Sequence, residues 1–376
     1  MRFRVRIPVC ALVLSLGLLS PSAARAQVAI PGPCTEGLLP FGAESLICVP
    51  LAGWNGQLVV FAHGFVRPDD PEPSFELPVL DGVQLPVVVQ SLGFAFATTS
   101  YRDNGLVILE GVDDLRNLLA AFSLAIRPPT RTHLFGVSEG GLVATLLAER
   151  SPALVTSAVA ACAPIGNFRL QVNYIGDFRV LFDYFFPGII PGTAIQIPED
   201  VIDDWDDAYV PAIAAALQAN PGRALELMRV ARAAHDPSNF ATVINTAISA
   251  LRYNVLGTND ATDKLGGNPY GNRLKLYLGS SNDLRLNLLV RRFSASPAAL
   301  QQMQFYETNG DLRVPLVTLH TILDELVPFG HELLYLPKVD LAARGRFVPL
   351  PVNRYGHCNF TTNELLGSFA LAVGFP

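Results

Sequence analysis

The sequence predicts an α/β fold: a mostly parallel sheet flanked by helices, with a large, mainly helical cap inserted before its last strands. Three observations carry this expectation. Short apolar runs without alternation recur along the chain, as strands buried on both faces require. Patterns of helical spacing lie between them, the mark of strand–helix crossovers. The alternation stops at about residue 165 and resumes at about 312, which places the extra helices within the sheet and not after it. A chain of 376 residues accommodates one large α/β domain with such an insertion.

Residues 1–26 read as a secretory signal peptide. Arg2, Arg4 and Arg6 form a basic start, residues 7–19 an apolar run, and Ala24-Arg25-Ala26 a small-residue cleavage site. The run is too short to cross about 30 Å of hydrocarbon as a helix, so no stable membrane anchor is expected. Cleavage after Ala26 would leave 350 residues, in which 23 basic residues face 33 acidic ones, a net charge of −10. The expected location is secreted or periplasmic.

The strands follow in order. Residues 58–62 end at His63-Gly64, and residues 94–99 follow Gly93. Runs at 132–137, 154–163, 314–320 and 346–350 complete the set. Residues 110–126 carry Val112, Leu115, Leu118, Leu119 and Phe122 at helical spacing. Residues 140–149 and 361–373 read as helices too, and Asp81-Gly82-Val83 opens another helical segment. The sheet domain is thus expected over 27–164 and 312–376, and the cap over 165–311. Alanine-rich helical patterns occupy 210–217, 223–234 and 241–251 of the cap. Its aromatic group, Phe178, Phe182, Tyr184, Phe185 and Phe186, reads as the cap's own core or as an apolar wall for an acyl group.

Composition excludes some classes. Apolar residues make up 50% of the chain and charged residues 16%, which rules out a disordered or solvating chain. A formal net charge of −6 argues against a nucleic-acid partner held through phosphates. Loss of Cys10 with the signal peptide leaves Cys34, Cys48, Cys162 and Cys358, an even number in an oxidising compartment. Three pairings are possible. Cys34–Cys48 would close a short N-terminal loop, and Cys162–Cys358 would join two regions assigned below to one site. A buried free thiol at Cys162 is the alternative.

The strongest chemical signal is Gly136-Val137-Ser138-Glu139-Gly140-Gly141, which fits G-x-S-x-G between an apolar run and a helix. A sharp strand-to-helix turn strains the Ser backbone, so the residues two before and two after must be small. The turn lifts the hydroxyl above the sheet beside a helix N-terminus, which favours developing negative charge. An alcohol nucleophile needs a base and a group to orient that base. Six His remain after residue 26: His63, His133, His235, His320, His331 and His357. His357 lies in a loop between the last strand and the last helix, where active-site loops of such sheets are expected. His133 lies too far down its strand. Asp324 follows a strand and precedes His357 by 33 residues, with Glu325 its rival.

The order Ser138, Asp324, His357, the segments Ala62-His63-Gly64-Phe65 and Gly136-Val137-Ser138-Glu139-Gly140, and Asp324 followed by Val327-Pro328 closely resemble the α/β-hydrolase superfamily. The resemblance covers residues 55–163 and 312–376, and within the superfamily it is greatest to secreted bacterial serine esterases and lipases. It implies a cap between the strand that follows the nucleophile helix and the strand that bears the acid. It also implies oxyanion donors at the backbone N–H groups of Phe65 and Glu139, with His63 holding their loop. Phe65 and Val66 stand where the HGGG form has glycines, so the donor at Phe65 rests on a looser match than the one at Glu139.

The expected activity is hydrolysis of a small-molecule or polymeric carboxylic ester through an acyl-enzyme. A serine peptidase or aminopeptidase on the same scaffold is the second reading, and a non-catalytic binding protein the third. Asp200, Asp203, Asp204, Asp206 and Asp207 could anchor a substrate amine, though such a run is ordinarily a solvated face. Tyr101-Arg102-Asp103-Asn104-Gly105 reads as a structural turn or as the rim of the site. The sequence has no H-E-x-x-H, C-x-x-C, G-x-x-x-x-G-K-[ST] or G-x-G-x-x-G, so neither a metal nor a nucleotide cofactor is expected. Asn359-Phe360-Thr361 fits a glycosylation sequon, but a glycan beside His357 would block the site.

Overall fold

Eight strands form one sheet in the computed structural model, which describes residues 29–71 and 74–374. The signal peptide expected over 1–26 lies outside the described residues. In chain order the strands are β1 (Cys34–Leu38), β2 (Glu44–Cys48), β3 (Gln57–Ala62) and β4 (Ala95–Thr99), then β5 (Arg131–Val137), β6 (Ser157–Ala161), β7 (Leu316–Leu323) and β8 (Phe347–Tyr355). Across the sheet they run β1-β2-β4-β3-β5-β6-β7-β8. The β1–β2 and β2–β4 pairs are antiparallel and all others parallel.

Each central strand is buried on both faces, which explains its unbroken apolar run. In β3, Leu58, Val60 and Ala62 pack with helices α2 (Ile108–Ala125) and α3 (Glu139–Arg150). Val59 and Phe61 point the other way, into the cluster that Phe369 of helix α12 (Thr362–Gly374) completes. Between β6 and β7 lie the longer helices α4 (Phe168–Phe185), α6 (Val210–Ala219), α7 (Pro221–Ala231) and α8 (Phe240–Lys264), with shorter ones α5 (Glu199–Asp203), α9 (Asp283–Leu289) and α10 (Pro297–Met303). They surround a second apolar core built on Phe178, Phe182, Trp205, Leu227 and Leu251.

The structure corrects four local expectations. Asp81 and Gly82 do not open a helix: with φ of 47° and 84° they form the turn of a two-stranded hairpin. Helix α1 starts after it, at Leu85–Ser91. Strands β1 and β2 were not expected: β1 is an exposed edge strand with no apolar run, and the run of β2 is only Leu46-Ile47-Cys48-Val49. Strand β8 extends to Tyr355 despite Pro349 and Pro351, which an edge strand tolerates. Helix α8 runs 25 residues, well past residue 251. Its later polar residues break the apolar pattern because they bind backbone: Asp260 accepts from Leu106 N–H at 2.7 Å and Asn259 from Ile197 N–H at 3.1 Å.

Candidate active site

Ser138 stands between β5 and α3 with φ 56° and ψ −122°, a conformation costly for any residue with a Cβ. Its neighbours must be small because backbone presses on them. A Cβ on Gly136 would sit 2.1 Å from Gly140 O, and one on Gly140 would sit 2.1 Å from Ala62 O and 2.2 Å from His63 O. Ser138 N–H donates to Ala161 O at 2.8 Å, which pins the turn to β6. The first turn of α3 has no side-chain cap; Gly141 N–H donates to Ser138 O at 3.0 Å, and the N–H groups of Glu139 and Gly140 are left for whatever binds above the serine.

Three predicted side chains meet here. His357 Nε2 lies 2.9 Å from Ser138 Oγ, and its Nδ1 lies 2.8 Å from Asp324 Oδ2 and 3.1 Å from Oδ1. Asp324, at the end of β7, is buried and also accepts N–H bonds from Leu326 at 2.9 Å and Val327 at 2.8 Å. Burial alone would raise its pKa. The charge of His357 and hydrogen bonds from His320 and His357 outweigh that and hold it well below the usual carboxylate range. Glu325, the rival acid, points elsewhere: Ser249 Oγ lies 3.4 Å from its Oε1, and burial raises its pKa.

Support behind Asp324 left only a faint signal in the sequence. His320 Nε2 lies 3.3 Å from Asp324 Oδ2 and 2.9 Å from Val327 O, while Nδ1 lies 3.1 Å from Glu332 Oε1. Thr318 Oγ donates to the other Glu332 oxygen at 2.6 Å. Burial would lower the pKa of His320, but its bonds to Asp324 and Glu332 and their charges raise it to about 10. A doubly protonated ring has an acceptor at each nitrogen, so the cation is fully satisfied. Only its spacing four residues before Asp324 on a strand end hints at this, and many strand histidines share that spacing.

The His-Gly loop crosses directly over the elbow, since a Cβ on Gly64 would lie 3.3 Å from Ser138 Cβ. His63 is buried, bonds Gly64 O through Nδ1 at 2.7 Å, and stacks on Tyr101 with centroids 4.1 Å apart. Glu139 puts its carboxyl under the same loop system, where Oε1 accepts from Val107 N–H at 2.9 Å. Burial pushes that carboxyl up to about 8, so it is largely protonated near neutral pH. Arg102 and Asp114 pair across the Tyr101–Gly105 turn, and Lys264 of α8 bonds Asp103 and Asp260 there. That turn is an anchor between the helical layer and the sheet.

A cavity of about 150 Å³ opens at Ser138. Phe65 and Glu139 line it with Phe168, Val172 and Ile175 of α4, Tyr253 of α8 and Tyr270. Of the two readings of the group Phe178–Phe186, the structure gives the cap's own core: those rings fill the space between the helices, and the first two turns of the same helix line the cavity. Of the acidic run, Asp206 binds Arg252 at 2.7 Å and lies 3.7 Å from Arg67. None of that run lines the cavity.

Both favoured cysteine pairs are joined. Cys34–Cys48 links β1 to β2 at a paired register, and Cys162–Cys358 links the residue after β6 to the residue after His357. Cys162, Cys358 and His357 lie close enough together to suggest a metal site. Disulfide sulfurs are not thiolates, so they lack the ligand chemistry a metal would need. His133 sits low in the sheet, bonding Ser157 Oγ and Gln57 Oε1 at 2.8 Å each.

The sheet order, the strained serine between β5 and α3, and the acid and histidine after β7 and β8 together define an α/β-hydrolase fold. No protein-family profile and no curated protein sequence matches the chain. Among solved structures it is similar to an acylaminoacyl peptidase of Pyrococcus horikoshii, at 12% identity and a TM-score of 0.44, over 91% of this chain and 39% of that one. It is also similar to a proline iminopeptidase of Mycobacterium smegmatis, at 15% identity and a TM-score of 0.45, over 90% of this chain and 97% of that one. An esterase of Pyrococcus furiosus matches at 10% identity and a TM-score of 0.44, over 91% and 90% of the two chains.

Proposed function

We propose that this protein is an exported serine hydrolase that cleaves carboxylic esters through an acyl-enzyme. The observation that carries the reading is the hydrogen-bonded line from Ser138 Oγ through His357 to Asp324 beneath an apolar cavity. His357 Nε2 takes the Ser138 proton as Oγ attacks the ester carbonyl. The tetrahedral oxyanion accepts hydrogen bonds from the N–H groups of Phe65 and Glu139. His357 returns the proton to the departing alcohol. Water, deprotonated by the same nitrogen, then attacks the acyl-Ser138 and releases the acid. Asp324 fixes the tautomer and stabilises the imidazolium, and the His320 cation keeps Asp324 ionised. No cofactor or metal is needed.

Residues 165–311 act as the cap, which excludes water and limits the acyl group. Two disulfides support an oxidising destination, and cleavage after Ala26 is the route we propose to it. No described helix is long and apolar enough to cross a membrane. Among the described residues no ionised acid lines the cavity for a substrate amine, which favours an ester over a peptide with a free amino end. The cavity's one carboxyl, Glu139, is largely neutral and committed to Val107 N–H. A cavity of about 150 Å³ suits an acyl chain of about six heavy atoms, the size of a benzene guest in a comparable void.

The test is turnover of p-nitrophenyl esters of increasing acyl length beside aminoacyl p-nitroanilides, with Ser138→Ala as control. An optimum near six carbons, lost in the variant, is expected. Faster turnover of the anilides would assign the peptidase activity instead.

A further inference from the structure

Residues 272–292 carry a surface that the ester reaction does not use. Leu274, Leu276, Leu278, Leu284, Leu288 and Leu289 are each between 60% and 95% exposed. Their placement is ordered. Tyr277 turns inward, so the extended chain on either side directs Leu276 and Leu278 outward. In α9 the buried residue is Leu286, and Leu284 and Leu288 stand one turn apart on the other face. Asn287 joins the two pieces, since its side chain donates to Tyr277 O at 2.7 Å and accepts from Tyr277 N–H at 2.9 Å. The two leucine-bearing pieces are therefore held together at Tyr277 and Asn287.

Charge separates this face from the rest of the molecule. Residues 273–292 hold Arg273, Lys275, Arg285, Arg291 and Arg292 against Asp283 alone, a charge of +4 along this segment in a chain of net −6, with Glu226, which accepts from Ser281 N–H, and Asp183 at its border. Asp283 is turned onto the N–H groups of Gly279 and Ser280, and Lys275 is paired with Asp177. Arg273, Arg285 and Arg291 are exposed. A soluble chain rarely leaves so many adjoining leucines in water without a use for them. A surface that offers acyl chains to the leucines and anionic headgroups to the guanidiniums satisfies both features at once.

We propose that this leucine- and arginine-rich face docks the protein on an anionic phospholipid bilayer. Tyr270 lines the cavity above Ser138, and its hydroxyl lies 3.4 Å from that of Tyr277, between the outward leucines. The tyrosines packed beneath the docking face thus reach the cavity wall. The proposal stands whether or not the ester reading holds.

The test is co-sedimentation with vesicles of phosphatidylglycerol or phosphatidylcholine, using the chain from Gln27 onward, which contains every described element. Binding to phosphatidylglycerol is expected, weakened about tenfold or more on phosphatidylcholine or in high salt. Leu284→Asp with Leu288→Asp should weaken it at least about tenfold with an unchanged melting temperature. Arg273→Glu with Arg285→Glu should abolish the preference for the anionic lipid. No binding to either vesicle, or binding that both double variants retain, would overturn the proposal. So would a dimer that the leucine variant disperses without any vesicle binding, because a second copy would then be what covers the face.

Discussion

Ser138 keeps its strained backbone because nothing larger than hydrogen fits on the glycines around it, and this makes the elbow sensitive to a single methyl. Gly140→Ala would drive a Cβ into two backbone carbonyls of the His63 loop, neither of which can rotate away. We expect it to cost about 1–3 kcal/mol of stability and to lower kcat more than it raises KM, because the displaced loop carries the Phe65 donor. Glu139 gives a different expectation. Its side chain acts as a largely neutral acceptor for Val107 N–H, so Glu139→Gln should leave turnover near pH 7 almost unchanged. Glu139→Ala orphans that N–H and should destabilise by about 1–3 kcal/mol; denaturant melts of the two variants check the contrast.

Among the elements, the loop that carries His357 is held by Cys358 to Cys162 across 196 residues of sequence. Removing that bridge with Cys162→Ala and Cys358→Ala should cost about 2–5 kcal/mol and lower kcat by loosening the imidazole. Reductant should have the same effect on the unaltered chain, and full activity with four free thiols by mass would refute it. The elements that sequence patterning made legible are those whose burial is uniform: β3 to β7 read as apolar runs, and α2 and α3 as periodic helices. The elbow was legible because strain leaves so few residue choices. Helix α4 was half legible, since its aromatic stripe marked an inner core while the cavity wall, at Phe168, Val172 and Ile175, lay in its first two turns. Strand β1 and the His320–Glu332 support were hidden, one because an exposed edge needs no apolar run, the other because its partners come from β7 and the helix Gly330–Tyr335.

For the whole molecule, buried groups on both sides of neutrality set the pH dependence of stability: burial holds His331 at about 3 and His133 at about 4, so both cost stability as pH falls below 6.5. His320, raised to about 10 from an ordinary 6.5, contributes stability that is complete below pH 6.5 and lost as pH rises toward 10. Glu139, raised to about 8 from 4.5, penalises the fold increasingly between those values. Asp324, held low, contributes stability that is lost as pH falls through the acid range. Together they place maximum stability at weakly acidic pH, with the melting temperature falling from about pH 6 to 9. Glu139→Gln should remove the Glu139 share of that fall below pH 8, about 1.4 kcal/mol for each pH unit crossed, and leave the His320 share; a fall unchanged in that variant would refute the assignment. At the centre of all this stands Ser138 as a nucleophile activated by His357. Incubation with diisopropyl fluorophosphate followed by peptide mass mapping tests that role directly. One phosphoryl adduct per chain is predicted, on Ser138, with almost none in His357→Ala. An unmodified Ser138, an adduct on another residue, or undiminished labelling of the His357 variant would contradict it.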